Sequence, residues 1–141
     1  MQKKASAVWE GDLKTGKGSI STESGVLSNA PYGFVSRFEG GKGSNPEELI
    51  GAAHAACFSM ALSNQLGQDG MKPQKIETSA TVNMDKLEKG WTVTGVHLQV
   101  KAKVPGADQA AFEKSANAAK AGCPISRLLN ANITMDAQLE K

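Results

Sequence analysis

Two cysteines stand in contrasting settings in this sequence. Cys57 lies in the stretch NPEELIGAAHAACFSMAL, midway along an apolar run, with His54 three residues before it and Glu47 and Glu48 at its start. Cys123, in AGCPIS, precedes a proline and falls at the N-cap of a short helix, where unpaired N–H groups and the helix dipole favour a thiolate. Cys57 in mid-helix lacks that field, so its reactivity requires a cation delivered from elsewhere. Arg37, in FVSRFEG, is a candidate because it closely precedes the helix. Two thiols in unlike settings suit a pair in which one is oxidised and the other resolves it. Two unrelated core thiols fit the same residues, since free cysteine is among the most buried side chains.

The other chemical side chains narrow the choice. His54 and Cys57, spaced i, i+3, share a helix face and could form a Cys–His nucleophile or half a zinc site. A structural zinc site wants four N/S ligands, and only His97 and Cys123 remain to supply them. No C-x-x-C or H-x-x-x-H spacing occurs, so no metal is expected and His54 reads as a hydrogen-bonded interior residue. Acids in a helix's first turn favour its dipole, and Glu48 also occupies the capping-box position, which leaves Glu47 free for other work. Gly11, Gly16 and Lys17 imitate a phosphate loop, but Gly18 replaces the hydroxyl residue and a strand follows.

The elements that must position these groups follow from the hydrophobic pattern. ASAVWEG, GSISTES and GFVSRFEG alternate between glycine-rich turns and predict three strands, Arg37 falling in the third. Asn45 as N-cap and Pro46 at the first helical position start a helix that runs to about Gly67. Ile76 to Met84 keep one phase, and the next strand slips phase at Gly95, read as a β-bulge. A helix ending at Gly122, a short one over PISRLLN and a strand with Ile133, Met135, Ala137 and Leu139 in phase complete the order βββ-α-ββ-αα-β. That order is α+β, in one domain over residues 1–141. The first helix is apolar nearly all round, which calls for cover by a second subunit.

Composition removes other classes. Sixteen basic against fourteen acidic residues, interspersed, leave no footprint for nucleic acid, and four Phe, two Trp and one Tyr offer little for base stacking. No apolar run approaches the roughly 18 residues of a membrane span, and MQKKASAVWEGD lacks the apolar core of a signal peptide. The expectation is a cytoplasmic protein whose cysteines are thiols rather than a structural staple.

Over essentially its whole length the chain resembles the OsmC/Ohr family of osmotically inducible and organic hydroperoxide resistance proteins, its OsmC branch in particular. WEGDLKTGKGSISTESGVL, PYGFVSRFEG, NPEELIGAAHAACFSMAL and KAGCPIS carry the resemblance. It implies antiparallel sheets around central helices in an intertwined homodimer, and a thiol peroxidase acting in oxidative and osmotic stress defence. By position, Cys57 corresponds to the peroxidatic cysteine, Cys123 to the resolving one, Arg37 to the active-site arginine and Glu47 to its partnering glutamate. The implied substrates are organic hydroperoxides, and the implied reductants are external dithiols, lipoylated proteins among them, with no bound cofactor. Glu47 and Cys57 are ten residues apart, about 15 Å of helical rise, so the glutamate serving each Cys57 is expected from the other subunit. Two rival readings remain at this level: a redox-inert dimer holding a hydrophobic small molecule, and a Cys–His hydrolase or transferase that depends on His54.

Overall fold

The computed structural model describes all of residues 1–141. In chain order the elements are β1 (Ala5–Glu10), β2 (Lys17–Thr22), β3 (Ala30–Tyr32), α1 (Phe34–Phe38), α2 (Pro46–Gln68), β4 (Lys75–Leu87), β5 (Gly90–Lys103), α3 (Gln109–Gly122), α4 (Pro124–Leu128) and β6 (Asn132–Glu140). Two separate three-stranded sheets and their helices make the chain α+β, as the sequence implied. The chain divides into two compact units, Met1–Leu49 and Ile50–Lys141. No helix is long and apolar enough to cross a membrane.

In the first unit β1, β2 and β3 form an antiparallel sheet in that order. Gly18 pairs with both Trp9 and Tyr32, whose rings meet 5.5 Å apart. A Cβ on Gly18 would sit 2.3 Å from the Tyr32 ring. The glycine that breaks the phosphate-loop pattern therefore lets an aromatic ring lie on the sheet. The stretch GFVSRFEG is not a strand as expected: β3 is Ala30–Tyr32, and Arg37 lies in the helix α1. Two local forces make the helix. The Gly33 N–H donates to Ser36 Oγ at 3.0 Å, and Phe34 and Phe38, four residues apart, bring their rings to 4.9 Å. The order is thus βββ-αα-ββ-αα-β.

In the second unit β5 is central, with β4 antiparallel on one side and β6 parallel on the other. The expected antiparallel pairing holds for β4 and β5, while β6 makes this sheet mixed. Helices α3 and α4 intervene between β5 and β6 and carry the chain back to the end where β5 began, so β6 runs the same way. The bulge is real but displaced by one residue: Asn83 pairs with Gly95 and Met84 with Val93, leaving Thr94 as the extra residue. Val96, Leu98, Val100 and Ala102 point to one face of the sheet and are buried. Phe58, Leu62 and Leu66 of α2 and Phe112, Ala116 and Ala119 of α3 complete the same core. Each large apolar side chain buried in this way contributes about 1.5 to 3 kcal/mol.

The start of α2 forms as its sequence requires, with Asn45 Oδ1 accepting from the Glu48 N–H at 2.8 Å. Its buried stripe is Gly51, His54, Phe58, Leu62 and Leu66. Ala53, Ala56 and Met60, off that stripe, stay exposed in the single chain.

Candidate functional site

Cys57 faces Cys123 within the second unit. Their sulfurs lie 2.9 Å apart, and both thiols are free. Cys123 closes α3 and opens α4, and its own side chain caps neither helix. The sulfur turns to Cys57 instead and is fully buried, whereas Cys57 is partly exposed. The amide geometry departs from the sequence reading in one respect. The Ile125 N–H, at the start of α4, lies close enough to Cys57 to favour its thiolate. Burial pushes the Cys57 thiol above its ordinary value, and the adjacent Cys123 adds to the rise. The Ile125 N–H pulls the other way without cancelling these effects. Sequence reasoning missed Ile125 because its contribution is a backbone group; the only signal was Cys-Pro marking a helix start.

One turn before Cys57, His54 is fully buried. Its Nε2 lies 2.7 Å from Ser126 Oγ, and its Nδ1 has no partner. Burial lowers its pKa, favouring the neutral ring. The expectation of a hydrogen-bonded interior histidine is met at one nitrogen only. His97 is elsewhere, on the sheet's polar face, where it meets Thr134 at 2.7 Å and Asp136 at 3.1 Å. No group of three His, Cys, Asp or Glu side chains is placed to hold a metal ion.

The first unit brings Arg37 and Glu47 together. Arg37 Nη2 donates to Glu47 Oε1 at 2.7 Å, and Nε lies 3.2 Å from each carboxylate oxygen. This is the side-on fork that lysine cannot make. The Arg37 guanidinium also lies over the Phe38 ring at 5.2 Å. The Arg37 side chain is 37% exposed and that of Glu47 14%. Beside the pair, Trp9, Leu13, Tyr32, Phe34 and Phe38 line a mainly apolar cleft of about 270 Å³ that Arg37 borders. The bond that caps α2 uses the Asn45 side chain and the Glu48 backbone N–H, not the Glu48 carboxylate.

Comparison with known proteins places these features in a family. Residues 39–138 match the model for OsmC-like protein. The chain is 56% identical over 140 residues to Peroxiredoxin OsmC of Escherichia coli (strain K12), covering 99% of this chain and 98% of that protein. It is 32% identical over 101 residues to the organic hydroperoxide resistance protein of Xanthomonas axonopodis pv. citri (strain 306), 71% of this chain and 69% of that one. The crystal structure of the organic hydroperoxide resistance protein OhrB of Bacillus subtilis superposes with a TM-score of 0.68 at 24% identity, covering 97% of this chain and 98% of that chain, a likeness of fold. A match of the family model to most of the chain, joined to a full-length relative at this identity, assigns the chain to the OsmC-like family.

Proposed function

We propose that this chain is a cysteine-based peroxidase that reduces organic hydroperoxides to alcohols. The observation that carries the reading is the pair of free thiols 2.9 Å apart. The names of the relatives, a peroxiredoxin and an organic hydroperoxide resistance protein, support it. The Cys57 thiolate attacks the O–O bond, the alkoxide leaves as the alcohol after taking a proton, and Cys57 becomes a sulfenic acid. The Cys123 thiol then displaces hydroxide from that sulfur, giving a disulfide and water. An external dithiol, free or on a lipoylated protein of a reducing cytoplasm, exchanges with the disulfide and restores both thiols.

The thiolate needs a cation because its own surroundings favour the thiol. Arg37, oriented by Glu47, supplies it. On a regular α2 the ten residues from Glu47 to Cys57 span about 15 Å of rise, more than one guanidinium bridges at contact distances near 3 Å on each side. The Arg37–Glu47 pair of one chain therefore serves the partner subunit's Cys57 in a homodimer, which also covers Ala53, Ala56 and Met60. The aromatic cleft bordered by Arg37 then receives the alkyl part of the substrate, favouring an organic over a hydrogen peroxide.

Free-thiol counting tests the reading. Treatment of the reduced protein with cumene hydroperoxide is expected to remove both thiols, and a dithiol to return them. Unchanged thiols would instead fit a redox-inert protein that binds a hydrophobic molecule.

A further inference from the structure

Residues 123 to 126 make two side-chain bonds with two residues of α2. The Cys123 sulfur meets the Cys57 sulfur, and Ser126 Oγ bonds His54 Nε2. Helix α4 has only five residues, too few to hold itself together, so its place is set by what it touches. Among these contacts, only the one between His54 and Ser126 leaves the reacting sulfur alone. It joins residues 72 apart in sequence.

As a packing residue His54 is a poor choice. Its Nδ1 is buried without a hydrogen-bond partner, a situation that costs free energy and that an apolar side chain would avoid. The imidazole has one directional contact, and that contact ends on α4. We infer that His54 is a positioning residue: through Ser126 it holds α4 so that Cys123 faces Cys57. The inference rests on the peroxidase reading above.

The step that feels this tether is the fork at the sulfenic acid. In one branch Cys123 condenses with Cys57–SOH, forming the S–S bond and releasing water. In the other a second hydroperoxide oxidises Cys57–SOH to the sulfinic acid and leaves as alcohol. A tethered Cys123 favours the first branch, and a loosened α4 gives time to the second.

Ser126→Ala removes the bond from its half-buried end without opening a cavity at His54, and Ser126→Thr keeps the hydroxyl. Each reduced protein is treated with a concentration series of cumene hydroperoxide without dithiol, and disulfide and sulfinic products are counted by intact mass. The hydroperoxide concentration that over-oxidises half the Cys57 is expected to fall about fivefold in Ser126→Ala, the effect of one hydrogen bond of ordinary net strength. Ser126→Thr should return it to the wild-type value. His54→Leu breaks the same bond from the other side and should shift the partition in the same direction. An unchanged partition in a Ser126→Ala protein with the wild-type melting curve overturns the inference while leaving the peroxidase reading intact. A wild-type protein that forms neither product overturns both.

Discussion

The thiol pair joins residues 66 apart in sequence against a packed core, whereas the Arg37–Glu47 pair joins residues ten apart where the arginine is more than a third exposed. The first depends on the whole second unit: α2, α3 and α4 must all be in place before the sulfurs meet. The second needs only α1 and the first turn of α2. Their chemistry is divided in the same way. The core brings two sulfurs together but makes Cys57 a weaker acid. The ion pair holds a charge where water lowers the cost of keeping it. An exposed pair of this kind adds about 0 to 1 kcal/mol to stability, so its value lies in aiming the guanidinium.

The strongest way to break this division is to separate its halves between chains. Cys57→Ser is expected to abolish peroxide consumption, because an alkoxide is not available near neutral pH. Glu47→Ala should also be nearly inactive. Mixing the two as a verified heterodimer should restore activity, since one site is then doubly broken and the other intact. Absence of recovery would place both halves of each site in one chain. Next in size, Cys123→Ser should support about one turnover and then accumulate sulfenic or sulfinic acid at Cys57, detected by a sulfenic-acid trap and by mass. Normal dithiol-supported turnover with no trappable sulfenic acid would remove Cys123 from the resolving role.

Arg37→Lys sharpens the comparison because it keeps the charge and removes the fork. The expected result is a higher Cys57 thiol pKa and a peroxide reduction rate lower by about tenfold at neutral pH. A wild-type rate with an unchanged thiol pKa would sink the assignment of Arg37. The smallest effect comes from the apolar half. Burial holds the His54 pKa below its ordinary 6.5. Above that pH the ring is neutral in both folded and unfolded chains. As pH falls through 6.5 the unfolded chain takes the proton first, so stability declines until the folded ring also titrates. Denaturant titrations at about pH 7.5 and about pH 5.5 should show a smaller loss in His54→Gln than in the wild type.

Much of this was legible in the sequence. The Asn45–Pro46 start, the phases of β4, β5 and β6, and the break at Cys123-Pro124 all follow from local rules. The failures share a cause. In GFVSRFEG the apolar residues satisfy a strand's alternation in part and a helix's i, i+4 spacing at Phe34 and Phe38. A single hydroxyl, on Ser36, helps decide for the helix. The parallel course of β6 depends on where α3 and α4 leave the chain, which no strand pattern encodes. Ile125 acts through a backbone N–H, for which its side chain is no guide. Arg37 and Glu47 became visible as a pair through resemblance, since ten residues of separation with a loop between them has no periodic signature.

The unequal exposure of the two sulfurs has a consequence for recycling. In the proposed cycle, once Cys57 and Cys123 are joined, an incoming thiolate meets Cys57, the partly exposed residue of the pair, since Cys123 is at 0% exposure. The mixed disulfide of that cycle is then expected on Cys57, with Cys123 as the leaving group. The attacking sulfur must arrive on something slender enough to enter beside α4, and the second thiol of a flexible dithiol arm is then already at hand to finish the exchange.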